Sequence, residues 1–243
     1  MKKFFFVFEI FLYSLIALYA QDSKLIDENS SDFISTSEDN SSKVAKSLFF
    51  TLGPKLMLNI DDSTKSAPSP VMYSLGIGGD FLFKNGISLQ THGSFFTNYY
   101  LWDGENARPA EVENRTATAL SFMADFSCGY TWRLGGEKKH FLSLLGGIGF
   151  LARYAILSNG VNSDAPNRDI GTTASDDVSD INSTFFSDLN FLYPEIALSY
   201  SYLLSENWKV GGEFRAYAPI GSLKQGNGLD GMIFSLAAKI SYK

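Results

Sequence analysis

From Leu48 to Lys243 the chain alternates apolar and polar residues, with clusters of Gly, Pro, Asn and Asp interrupting the pattern at intervals. A period of two puts successive side chains on opposite faces of a β-strand. The last twelve residues show it most fully. Met232, Phe234, Leu236, Ala238, Ile240 and Tyr242 fall on one face and Ser235, Ala237, Lys239, Ser241 and Lys243 on the other, with Ile233 alone out of pattern. The same reading predicts seven earlier strands: Leu48 to Asp61, Val71 to Phe83, Ile87 to about Leu101, Thr116 to Arg133, Phe141 to Leu157, Phe185 to Leu203 and Trp208 to Ala218.

The connections alternate in length. Lys84-Asn85-Gly86, the turn after Gly135-Gly136 and Ser205-Glu206-Asn207 are tight, and Asn-Gly is a strong hairpin signal. Between them lie longer polar stretches over 62–70, 102–115, 158–184 and 219–230. Tight turns at one end and long loops at the other define an all-β, eight-stranded antiparallel up-and-down transmembrane β-barrel with the long loops outside the cell. Soluble barrels alternate as well. Here the polar face is mostly Ser, Gly, Thr and Ala with a few charges of both signs, which suits a narrow hydrated interior. Aromatics gather at the strand ends, such as Tyr130, Trp132, Trp208 and Tyr242 at the turn side and Tyr73, Tyr99 and Trp102 at the loop side. Such girdles mark membrane interfaces.

Composition agrees with this reading. Charged residues make up 19% of the chain, below the roughly 25% of soluble domains. A formal net charge of −6 argues against nucleic acid as a partner, since that needs a basic face. Lys2 and Lys3, an apolar run from Phe4 to Tyr19 and Ala20 before Gln21 have the layout of a secretory signal peptide over 1–20. Residues 21–47 are rich in Ser, Asp, Glu and Asn and read as a flexible periplasmic segment. The barrel domain then covers 48–243. Cys128 lies within a strand pattern and reads as a small apolar filler.

The stretch Tyr200–Tyr217, with its strand-turn-strand pattern, and Leu145–Tyr154 resemble small outer-membrane β-barrels, and within that group the outer-membrane protein W-like branch. The resemblance covers Leu48 to Lys243. It implies the cell outer membrane of a Gram-negative-type bacterium, outer-membrane lipid as surroundings and the barrel-assembly machinery as a partner. Phe234, Leu236, Ile240 and Tyr242 resemble the terminal assembly signal of such barrels, although Lys243 follows the aromatic. The activity implied is passage of small apolar solutes. The alternative is a non-conducting, surface-exposed structural or adhesion protein that binds partners through its extracellular loops. No cofactor is expected.

Alternation turns Lys55, Asp80, His92, Asp125, Arg133, Arg153, Glu195, Lys209, Glu213, Arg215 and Lys239 into the lumen. Their mixed signs predict pairing across it, because an unpaired confined charge carries a desolvation cost. Met57, Phe96, Met123, Leu145 and Leu151 point inward beside them, so a continuous aqueous pore is not expected. A lateral exit through the wall would need a break in the strand ladder. Proline lacks the required N–H, and Pro194 is the better placed of two candidates, Pro54 being the other. His92-Gly93-Ser94, with Glu105 as third member, resembles the His-x-Ser pair of outer-membrane lipid A deacylases. Both residues face inward, away from lipid, so His92 reads as a polar lining residue and the chain as no enzyme. The acidic connection 158–184 lacks the spacing of a calcium loop and reads as a solvated surface loop.

Overall fold

The computed structural model describes residues 44–60, 70–167 and 171–243. The signal-peptide assignment, the segment up to residue 43 and most of the first long connection lie outside the described residues. In chain order the elements are β1 (Val44–Met57), β2 (Val71–Phe83), β3 (Ile87–Trp102), β4 (Ala107–Pro109), β5 (Ala117–Leu134), β6 (His140–Leu157), α1 (Ala174–Phe186), β7 (Leu192–Leu203), β8 (Trp208–Tyr217), α2 (Ile220–Gln225) and β9 (Ile233–Tyr242).

Eight of the strands close into a ring, each antiparallel to its sequence neighbour, with β9 returning to β1. The three-residue β4 folds back on the loop end of β3 and stays outside the ring. Closure leaves no sheet edge, which is the condition for crossing a hydrocarbon layer with strands. The outward faces carry exposed apolar side chains around the wall, Tyr73 at 77%, Ile196 at 62% and Leu236 at 61% exposure among them. A belt of this kind is stable against lipid and not against water.

The tight turns have local causes. In the β2–β3 hairpin, Gly86 adopts a φ of 89°, its N–H donates to the Phe83 carbonyl at 3.0 Å, and the Asn85 side chain accepts from the Ile87 N–H at 3.1 Å. A positive φ there suits glycine.

Two boundaries differ from the sequence reading. β1 begins at Val44, pairing Val44 with Phe83, so residues 44–47 belong to the barrel and not to the preceding segment. β7 begins at Leu192, because Phe185 lies in α1. The acidic connection is therefore not a solvated loop throughout. Thr173 and Asp176 form a capping box at the start of α1, and Ala174, Asp177, Ile181 and Phe185 make its buried stripe. Helix formation here answers a need of the sheet. β6 pairs with β7 only as far as Phe150, so its loop-side end projects beyond its neighbour. The Asn182 side chain of α1 accepts from the Ala155 N–H at 2.8 Å and donates to the Ala155 carbonyl at 2.9 Å, satisfying that projecting edge.

Candidate functional site

The inward positions of the eight strands stack into layers. At the turn end the lumen widens into a vestibule of about 260 Å³, with Lys239, Asp80 and Gln90 among the residues at its inner end and Glu206 and Lys243 nearer the turns. Lys209 and Arg133, both predicted to line the lumen, stand in this vestibule.

Above it lies a layer of interlocked charges. The Arg215 guanidinium, 1% exposed, is its hub: Nε donates to Glu213 at 2.6 Å, Nη1 to Glu195 at 2.8 Å, and Nη2 to the Gln90 side-chain oxygen. Asp125 lies 3.6 Å from Nη1 and accepts from the Tyr217 hydroxyl at 3.0 Å. Lys239 bridges Asp80 at 3.0 Å and Glu213 at 3.3 Å, with its ammonium over the Phe49 ring. Lys55 donates to the Ser94 hydroxyl at 2.8 Å beneath the rings of Phe96 and Tyr217. Lys55, Arg215 and Lys239 thus confront Asp80, Asp125, Glu195 and Glu213. The charges nearly cancel, and planar guanidinium geometry lets one Arg serve several acceptors at once.

The next layer is apolar. Met57, Met72, Phe96, Met123, Leu151, Tyr193, Tyr217 and Ile233 form a single buried cluster to which each barrel strand contributes one side chain. This septum accounts for Ile233, the residue out of pattern in the last strand: it is the contribution of β9. Above the septum, Tyr100 packs edge-on against Phe185 of α1 at 4.9 Å, with Ala117, Ala119, Ala155 and Ile181 around them. Arg153 sits in this upper zone, apart from the charge layer. Its guanidinium lies over the Phe185 ring at 4.2 Å and donates to the Tyr100 hydroxyl at 3.2 Å and the Asn190 carbonyl at 2.9 Å. A loop-side cleft of about 80 Å³ reaches Met57 and Tyr193 of the septum. The interior is thus entered from both ends, and the septum and charge layer stand between.

Of the predicted lining residues, Lys55, Asp80, His92, Asp125, Glu195, Glu213, Arg215 and Lys239 come together in the charge layer. Thr51, Gln90 and Tyr217 join them, as do Met72, Tyr193 and Ile233 in the septum, and sequence reasoning missed their roles. Their signal was phase alone, since all occupy inward positions of an alternating strand.

The deacylase-like set does not assemble. His92 bonds to Asp125 through Nδ1 at 2.9 Å and to the Thr51 hydroxyl through Nε2 at 3.0 Å, while Ser94 is held by Lys55. Glu105 lies at the tip of the β3–β4 hairpin, on the loop side, where its N–H donates to Asp103 at 2.9 Å. Thr51, His92 and Asp125 do share the order of an acyl-transfer triad. All three are buried, however, and Phe49 stacks on the imidazole at 5.7 Å. A Cβ at Gly76 would overlap both His92 Nε2 and Thr51 Oγ1, so glycine is what leaves room for this pair.

The two prolines differ in their pairing. Pro194 pairs with Ile148 and its carbonyl accepts from the Ala218 N–H at 2.9 Å, so the ladder runs through it. Pairing between β1 and β9 instead lapses after Leu52–Ala238 and resumes at Lys55–Ser235, which leaves Gly53 and Pro54 unpaired on that side. The interruption concerns hydrogen bonds and not contact. A Cβ at Gly53 would run into the Leu236 carbonyl and come within 2.6 Å of Ala237 Cα, so the two backbones touch.

A closed antiparallel barrel with an apolar exterior and a polar, layered interior defines a transmembrane β-barrel of the outer-membrane type. No family model and no curated protein matches the chain. Among solved structures it is similar to Neisserial surface protein A, at 10% identity over 82% of this chain and 98% of that one, with a TM-score of 0.49. It is also similar to Ail, the attachment invasion locus protein of Yersinia pestis, at 8% identity, 82% and 96% coverage and a TM-score of 0.42. The N-terminal β-barrel domain of Pseudomonas aeruginosa OprF matches at 9% identity, 81% and 96% coverage and a TM-score of 0.31. Likenesses of this size bear on neither activity nor partner, and the class rests on the barrel's own geometry.

Proposed function

We propose that this chain is a non-conducting outer-membrane barrel whose working surface is its loop-side face. The observation that carries this reading is the septum, in which one side chain from each barrel strand meets at the axis above a charge layer. A solute on the axis would have to displace both. The loop-side face has features suited to recognition: α1 and the β3–β4 hairpin give it fixed shape, and Phe186, Leu189 and Leu223 are exposed near the Asp188–Lys224 ion pair. At the hairpin tip burial favours protonation of Asp103, but hydrogen bonds from Arg108 and the Asn106 and Glu105 amides outweigh it and hold the carboxyl below its ordinary pKa. The partner proposed is extracellular, the surroundings are outer-membrane lipid, and the outward Phe234, Leu236, Ile240 and Tyr242 of β9 are read as the signal to the assembly machinery.

The test is planar-bilayer recording of the refolded protein. Insertion without resolved conductance steps is expected, and reproducible steps from wild type would reject the reading.

A second reading, passage of small apolar solutes sideways through the wall, follows the resemblance to the outer-membrane protein W-like branch. The lapse in pairing at Pro54 favours it, and the close backbone contact at Gly53 opposes it. Liposome uptake of a small apolar compound separates the two. Wild type is expected to match protein-free liposomes, whereas faster uptake that Pro54→Val abolishes and Pro194→Val does not would place an exit at that seam.

A further inference from the structure

We infer that the turn-side vestibule is a binding site for a small phosphate-class oxyanion. Its lining brings together Arg133, Lys209, Lys239 and Lys243 against the carboxylates of Asp80 and Glu206. This cationic excess is local, because the chain as a whole carries −6. Within the lining the charges are not mutually satisfied. Lys239 is already committed to Asp80 and Glu213, which leaves Glu206 as the remaining acidic side chain in the lining. Among the described residues Arg133 and Lys209 make no ion pair. Lys209 is instead positioned by the Phe141 ring, 4.6 Å from its ammonium.

Hydroxyls surround these cations. Ser88, Ser199 and Ser241 face the same space, as do Thr131 and Ser143, which bond to each other at 2.8 Å. Ammonium and guanidinium groups with hydroxyl donors are the set that holds a tetrahedral oxyanion, each charged donor making a short, strong hydrogen bond. A volume of about 260 Å³, where a water occupies about 30 Å³, leaves room for a phosphate group together with ordered water. The charge layer closes the inner end, so the vestibule retains an anion and does not pass it. The phosphate can belong to a soluble phosphomonoester or inorganic phosphate, or to the headgroup of an anionic phospholipid at the barrel rim.

The experiment uses the full chain refolded in zwitterionic detergent and titrated calorimetrically with inorganic phosphate. In parallel the thermal unfolding midpoint is measured in phosphatidylcholine vesicles with and without phosphatidylglycerol. Saturable phosphate binding, weakened about tenfold by Arg133→Gln or Lys209→Gln and retained by Lys209→Arg and Lys138→Gln, is expected for the soluble source. A midpoint raised by phosphatidylglycerol alone, with the same dependence on Arg133 and Lys209, assigns the lipid headgroup. Folding of each variant is checked by the mobility difference between boiled and unboiled samples. If Lys209→Gln does not fold, Arg133→Gln, exposed at the rim, carries the test. Neither saturable binding nor a lipid-dependent midpoint, or binding indifferent to both substitutions, would overturn the inference.

Discussion

Replacing Arg215 with Met is expected to destabilise the folded barrel by about 3–5 kcal/mol, the loss found when one partner of a buried ion pair is removed. Its guanidinium contacts Glu213 and Glu195 directly and stands 3.6 Å from Asp125. Met fills much of the volume but leaves three carboxylates facing one another in the buried interior. Lys55 and Lys239 cannot cover the deficit, since Lys239 is shared between Asp80 and Glu213 and Lys55 is drawn towards Ser94. Arg215→Lys should recover only part of the stability, because an ammonium is a point charge that cannot bridge two carboxylates and Gln90 at once. Glu195→Gln placed on Arg215→Met should recover more than Glu195→Gln gains alone, which is the coupling expected of residues in one network. Denaturant titration of the refolded variants measures each term. Stability of Arg215→Met within about 1 kcal/mol of wild type would show that the charges are relieved by water or protonation.

Gly53→Val is expected to oppose closure of the barrel. A side chain at Gly53 projects into the Leu236 carbonyl and Ala237 Cα of β9, and main chain cannot rotate away as a side chain can. Overpacking of this kind costs about 1–3 kcal/mol, occasionally more. Here it falls on the β1–β9 pairing that closes the ring, where Pro54 already removes a ladder donor. Gly129, Gly147 and Gly211 meet the neighbouring strand's backbone in the same way, so inward glycines recur as the points where the narrow wall bends. Gly136, in a turn with nothing within 4 Å of its Cβ position, is the control. The fraction of unboiled protein that migrates as folded barrel should fall for Gly53→Val and stay at the wild-type level for Gly136→Ala.

Much of the wall was legible in the sequence, because each face of a strand sees a single environment and a period of two records it directly. Lys55, Glu213 and Arg215 were assigned inward on that ground alone. Their partners were not legible. Arg215 meets Gln90 across 125 positions of sequence, and only ring closure with its register brings those two strands' interiors together. The septum was half visible, with Met57, Phe96, Met123 and Leu151 assigned inward, whereas Ile233 looked like a defect until its seven companions defined a layer. Helix α1 was hidden by composition. In Asp-rich 174–186 the apolar Val178, Ile181 and Phe185 are sparse, and the capping pair Thr173 and Asp176 was the available signal of a helix. Phe185 fits the following strand by sequence because an aromatic close to an alternating run suits either period. Which of the two prolines faces a lapse in pairing is a property of β9 as much as of β1.

Water that enters the lumen from the turn side is expected to stop below the septum. Single cysteines in a Cys128→Ser background test it, since Cys128 is exposed on the outer wall. Ser201→Cys reports on the vestibule and Met123→Cys on the septum. With a water-soluble maleimide added to the folded barrel, Ser201→Cys should be labelled and Met123→Cys should react only after unfolding. Labelling of Met123→Cys in the folded protein at a rate comparable to Ser201→Cys would mean that water reaches the septum, and that the septum does not seal the lumen.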